Sequence, residues 1–198
     1  MPLDLPPDAR VTIERGGDLV ETATAAFSQD HVYRYALTRL WDTRPAAVFV
    51  MLNPSTADAF RTDPTATRCA RFARRENCGG LVIVNLFALR STDPRELRRH
   101  PDPVGPGNDD HILEHCRPGR LVIAAWGTHG RLRDRDRAVL AMLSAAQVTL
   151  HCFGTTTGGS PRHPLYLPGN AQLTAMADRE AGALPTSQPQ TESRSPLR

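Results

Sequence analysis

The chain reads as an α/β domain: a central, mostly parallel sheet of four strands enclosed by helices in three α/β/α layers. Three observations predict this. Four apolar runs, AAVFVML (46–52), LVIVNL (81–86), LVIAAW (121–126) and VTLHCF (148–153), have strand length and little polar alternation, the pattern of parallel strands covered on both faces. Helix-like segments separate them, as the crossovers of a parallel sheet require. The first three runs stop at small clusters of Asn, Pro, Gly, Ser or Thr, and the fourth is followed by a Gly/Thr loop and PRHPLYLP (161–168). Open α/β sheets bind ligands outside the carboxyl ends of their strands. These four loops are therefore expected to rim one crevice holding Asn53, Asn85, Thr128 and His163.

In chain order, RVTIERGG (10–17) is a short leading strand, and HVYRYALTRLWD (31–42) mixes aromatic and aliphatic positions ahead of the first core strand, AAVFVML. PTATRCARFARREN (64–77) is a helix with Cys69 and Phe72 inward, stopped by Asn77 and Gly79-Gly80. LVIVNL is the second core strand. STDPRELRRH (91–100) is a capped helical turn, with Ser91 or Thr92 as cap, Pro94 early and Glu96 nearby. DDHILEHC (109–116) is a helix ending at Pro118-Gly119, and LVIAAW is the third strand. RLRDRDRAVLAMLSAA (131–146) is the clearest helix, with Leu132, Val139, Leu140 and Leu143 supplying apolar contacts. VTLHCF is the fourth strand, and NAQLTAMADREA (170–181) is expected as a final helix.

A length of 198 residues fits a single domain, placed at 10–183, between a Pro-rich, loose N-terminus (1–9) and a Pro/Ser/Gln-rich tail (184–198) expected to be disordered. No apolar stretch reaches the roughly 18 residues that span a bilayer, and the N-terminus lacks the basic and apolar regions of a secretory signal. Cys69, Cys78, Cys116 and Cys152 do not form a disulfide framework. The expectation is a reduced, cytoplasmic protein with no membrane and no obligate protein partner. The net charge is +3, and all 24 basic residues are arginine. That bias reads as GC-rich codon usage and dilutes any argument from arginine alone. It also excludes a P-loop, which needs its lysine. Ser55 is not in a GxSxG elbow. His111 and His115 share a helix face beside Cys116, but HILEH is not HExxH and no third ligand is evident. No CxxC pair is present for a cluster. No metal and no cofactor are expected.

The polar strand ends carry the candidate chemistry. Asn53 precedes Pro54, and the rigid Asn-Pro turn would aim its amide at the crevice, where its carbonyl oxygen could orient a water. Asn85 ends a buried strand. A buried amide needs hydrogen bonds, and a nucleobase edge offers a matching donor–acceptor pair. His163 lies in a loop stiffened by Pro161, Pro164 and Pro168, where an imidazole N–H could meet a developing oxyanion. GTTTGG (154–159) allows close backbone approach.

Two resemblances rest on these residues. FSQDHVYRY, MLNPSTADAFRTDPTATRC, VNLFALRSTDP, AWGTHG and GSPRHPLYL, in that order over roughly residues 26–173, resemble the microbial family called domain of unknown function 1643. More distantly, MLNPS is similar to the water-activating motif of the uracil-DNA glycosylase superfamily. VIVN is similar to its base-reading strand, WGTHG to its WGxxA segment, and RHPLYL to its HPSP loop. This second resemblance implies a uracil-DNA-glycosylase-like fold and nucleobase excision from DNA by base flipping. It implies that Asn53 positions the hydrolytic water, that His163 stabilises the departing base and that Asn85 reads it. Phe60 or Phe72 is the candidate base-stacking aromatic, and Ser55, Thr128 and Arg162 are candidate phosphate or backbone contacts. Met51 and Ser55 replace the flanking glycines of the first motif, and Leu165 replaces the serine after His-Pro. The expected partner is DNA, single- or double-stranded, or a nucleotide. The alternatives are a non-catalytic nucleotide or modified-base binding protein, and a hydrolase of a free nucleoside or nucleotide.

Overall fold

The computed structural model of the protein describes residues 11–176, apart from 19, 56, 58, 59, 62 and 94. The two expected tails, 1–9 and 184–198, lie outside the described residues. The core strands form where the apolar runs predict: β4 (Ala46–Met51), β5 (Gly80–Asn85), β6 (Val122–Ala124) and β7 (Leu150–Cys152). They lie side by side as β5-β4-β6-β7, all parallel.

The sheet is larger than four strands. β1 (Val11–Gly17), β2 (Thr22–Ser28) and β3 (Arg34–Leu40) extend it antiparallel from β5, and β8 (Thr174–Ala175) adds antiparallel to β7. The result is one eight-stranded mixed sheet in the order β1-β2-β3-β5-β4-β6-β7-β8, which corrects the four-stranded expectation. The cause is visible in TATAAFS: small alanines at alternate positions bury against the sheet, but the run carries too little apolar bulk to announce a strand.

The expected final helix over 170–181 is also corrected in its described part. Met176 N donates to Leu150 O at 2.8 Å, and Leu173 and Ala171 pack on the core. Pairing with the open edge of β7 overrides local helix propensity there. Residues 177–181 lie outside the described set.

Helices cover both faces. α1 (Pro64–Arg75) places Ala66, Cys69, Phe72 and Ala73 against one face, in a cluster with Leu37, Phe49, Met51, Leu81 and Ile83. Asp63 caps it by accepting from Ala66 N at 2.7 Å, Pro64 starts it, and Asn77 at φ 61° helps end it. α2 (Glu96–Arg99), α3 (Asn108–His115) and α4 (Arg135–Ala145) supply Leu97, Ile112, Val139 and Leu143 to the other face, against Val48, Val50, Val82 and Val84. The period-2 geometry of β5 sends Leu81, Ile83 and Asn85 toward α1, and Val82 and Val84 toward α3 and α4. The 131–146 helix begins late, at Arg135, because residues 128–134 form a 3-10 turn broken at Arg133 and Asp134, both with positive φ. Among the described residues no helix is long and apolar enough to cross a membrane.

Candidate functional site

A cavity of about 620 Å³ opens where the parallel strands end, between the sheet and the start of α1. Its floor is apolar, made of Leu37, Met51 and Ile83, with Ala66 and Leu167 among its walls. Each loop after a parallel strand contributes. Asn53 and Ser55 follow β4, Asn85 and Ser91 close β5, Gly127 and Thr128 follow β6, and Thr156, Arg162 and His163 follow β7. The parallel arrangement explains this convergence, since all four strands deliver their carboxyl ends to the same edge.

Asn85 is the most unusual group in this cavity. It is 1% exposed, and among the described residues neither its Nδ2 nor its Oδ1 has a hydrogen-bond partner. Leaving such a group unmet costs about 1–3 kcal/mol. An amide in that state on a cavity wall can accept and donate to an adjacent donor–acceptor pair. The backbone beneath it is clamped. Asn108 Nδ2 donates to Asn85 O at 3.0 Å and to Leu86 O at 3.2 Å, while Arg135 Nε donates to Leu86 O at 2.8 Å and its guanidinium pairs with Asp109.

Asn53 is oriented differently. Its Nδ2 donates to Pro54 O at 3.0 Å and to Ser91 O at 2.8 Å, and Ser91 N donates to Pro54 O at 2.9 Å. The amide nitrogen thus stitches the loop after β4 to the loop after β5. Oδ1 is the atom left to act as an acceptor at the cavity.

His163 is half-buried at the start of the Pro164–Tyr166 turn. Its Nδ1 accepts from Leu165 N at 3.3 Å, which assigns the ring proton to Nε2 in the neutral form. Burial pushes its pKa below the ordinary 6.5, partly opposed by the charge of Asp63. The site therefore holds a neutral imidazole with one N–H donor. Gly127 lies beside it with φ 71°, the left-handed region that favours glycine; a Cβ there would make only an ordinary contact with the Cβ of His163, at 3.8 Å.

Of the residues expected at the site, Asn53, Asn85, His163, Ser55, Thr128 and Arg162 all line this one cavity. Thr128 and Arg162 are exposed, and Arg162 Nε donates to Thr155 O at 3.1 Å. The two phenylalanines do not line it. Phe72 is 2% exposed and stacks on Phe153 with ring centroids 4.3 Å apart, so helix periodicity turns it into the core. Phe60 is 71% exposed. The aromatic lining comes instead from Trp126, buried, and Tyr166, 84% exposed. His129 is exposed and also lines the cavity.

Three lining residues escaped the sequence reading. Arg34 is 3% exposed and donates to Ala57 O. Its signal was a lone charge between Tyr33 and Tyr35. Asp63 combines helix capping with proximity to His163, and the Asp-Pro pair before a helical run announced the cap. Tyr166 follows His-Pro in the fourth loop.

His111, considered as a metal ligand, stacks on Tyr35 with centroids 4.5 Å apart. Among the described residues no group of three His, Cys, Asp or Glu side chains is placed to hold a metal.

No curated protein and no solved structure matches the chain. The model of the family described as "Protein of unknown function (DUF1643)" matches residues 34–165, two thirds of the chain, a span running from Arg34 past His163. The chain belongs to this family.

Proposed function

We propose that the protein is an N-glycosidic bond hydrolase that removes a nucleobase from DNA. The observation that carries this reading is the unpartnered, buried amide of Asn85 in one cavity with a neutral His163 and the carbonyl oxygen of Asn53. A nucleobase edge supplies the adjacent donor and acceptor that Asn85 lacks, and the apolar floor suits a flat ring. A base in a duplex must be extruded to reach such a cavity. Asn53 Oδ1 orients a water toward the anomeric carbon. The bond from that carbon to the base nitrogen breaks, and its electron pair leaves with the base. The water oxygen bonds to the carbon, and one water proton ends on the released base. His163 Nε2–H stabilises the negative charge growing on the base oxygen. The likeness of MLNPS, VIVN, WGTHG and RHPLYL to motifs of the uracil-DNA glycosylase superfamily supports the same roles, as does the block of parallel strands that brings those motifs together.

The test is release of free base from oligonucleotides carrying uracil, hypoxanthine, xanthine or thymine, single- and double-stranded. Release of at least one above background is expected. No release from any of them overturns the reading as written. Thermal stabilisation by a base or nucleotide without release makes the protein a binding module, and cleavage confined to free nucleosides makes it a nucleoside hydrolase.

A further inference from the structure

Beside the main cavity lies a second, shallower groove that the chemistry above leaves unused. It is lined by Asp63, Pro64, Thr67, Arg68, Arg71 and Leu165. Asp63 belongs to both hollows. The Pro164–Tyr166 turn stands between them, with Tyr166 lining the cavity and Leu165 lining the groove.

The groove is the outer face of α1. Pro64, Thr67, Arg68 and Arg71 fall at i, i+3, i+4 and i+7, one stripe of a helix. That stripe carries two guanidinium groups and a hydroxyl where an ordinary surface helix mixes charge signs. Arg68 is preset: its guanidinium donates to Leu167 O and lies 5.1 Å from the Phe72 ring centroid. Arg71, one turn further along, is exposed. The carboxylate of Asp63 at the shared wall is engaged as the helix cap.

We propose that this groove takes the phosphodiester backbone of the DNA strand next to the nucleotide held in the cavity, and that the substrate is therefore polymeric. The inference rests on the hydrolase reading above and narrows its substrate. A nucleotide drawn into the cavity stays joined to its neighbours through two phosphates, which must leave by the mouth. A cationic stripe one turn-width from that mouth meets them with charge-assisted hydrogen bonds. A free nucleoside has no group to place there.

The experiment measures binding of a fluorescein-labelled single-stranded 11-mer carrying a central uracil, by anisotropy, between 25 and 200 mM NaCl, for the wild type, Arg71→Ala, Arg71→Lys and Arg117→Ala. Arg117 is exposed beyond the end of α3, before β6 begins, at the other end of the sheet. Its loss changes net charge as much as loss of Arg71 does. The expected result for Arg71→Ala is affinity about three- to tenfold lower at low salt and a log–log salt slope shallower by about 0.7, one phosphate contact on a single strand. Arg71→Lys restores the slope, and Arg117→Ala retains it. An unchanged slope in Arg71→Ala, or an equal change in Arg117→Ala, overturns the groove while leaving the hydrolase reading intact. A wild type that cleaves free deoxyuridine but does not bind the 11-mer also overturns the groove. A wild type that does not bind the 11-mer and releases no base from any of the uracil, hypoxanthine, xanthine or thymine oligonucleotides fells the reading beneath it and the groove together.

Discussion

The carboxyl end of β5 presents opposite solutions to the same problem on its two sides. Toward α3 and α4, Asn108 donates to the carbonyls of Asn85, the last residue of β5 paired with β4, and of Leu86, and Arg135 donates to that of Leu86. Toward α1, the side chain of Asn85 is left beside a cavity with both polar atoms unpaired among the described residues. Both asparagines are 1% exposed. Asn108 spends its nitrogen twice on holding the backbone, although its Oδ1 is unpaired among the described residues. Asn85 spends neither atom on the fold. Equal burial therefore does not imply equal use: the Asn108 nitrogen meets backbone carbonyls and holds the fold, whereas the Asn85 amide costs stability and is open to a ligand.

Four substitutions break or sharpen that contrast. The largest effect is expected on the cavity side. His163→Ala removes a preorganised donor and should lower the rate of base release about a hundredfold or more with thermal stability little changed, read by single-turnover kinetics beside a melting curve. Equal losses in rate and stability would make His163 part of the scaffold. Next, Asn108→Ala strips two buried carbonyls of a donor and should destabilise the protein by about 1–3 kcal/mol, measured as a shift in urea midpoint at constant m-value. Third, Asn85→Leu should do the reverse. It replaces two unmet polar atoms with an apolar side chain of similar volume, raising stability by about 1 kcal/mol while abolishing base release. Destabilisation by this change would show that Asn85 has a structural partner.

The smallest expected effect concerns pH. Burial lowers the pKa of His163, so its neutral form is the one that folding favours. Its contribution to stability is fully present above the ordinary 6.5 and is lost as pH falls through the lowered folded value. The acid limb of the pH–rate profile should accordingly lie below 6.5. Asp63→Asn keeps a capping side chain but removes the charge that opposes the shift, moving the limb to still lower pH. A limb that moves upward in Asp63→Asn would contradict this assignment.

Much of the cavity's polar lining is legible in the sequence. A polar residue terminating an apolar run is a local signal, and parallel strands bring all such ends to one edge. Asn53, Asn85, Thr128 and His163 could therefore be grouped although 110 residues separate the first from the last. Phe72 was expected inward on its helix and also offered as a stacking aromatic, because an aromatic on a helix near the site serves packing and stacking equally well, and the inward expectation is the one the structure bears out. Its stacking on Phe153, from the end of β7, is a long-range fact. Arg34 escaped because β2 and β3 carry weak strand signals, and without β3 beside β5 nothing sends Arg34 to the cavity.

What the amino-acid order determined alone was the set of short-range features: four apolar runs, the breakers between them, the stiff Asn-Pro and His-Pro turns, and the lack of a P-loop lysine. Each depends on neighbours within a few residues, where propensity and periodicity act. Only the tertiary structure decided which buried amide gives its nitrogen to the backbone and which does not, how far the sheet extends beyond its parallel block, which ring nitrogen of His163 carries the proton, and that a cationic groove runs beside the cavity. Those outcomes depend on hydrogen-bond partners and burial supplied by residues distant in the chain, and no local pattern encodes which groups will meet.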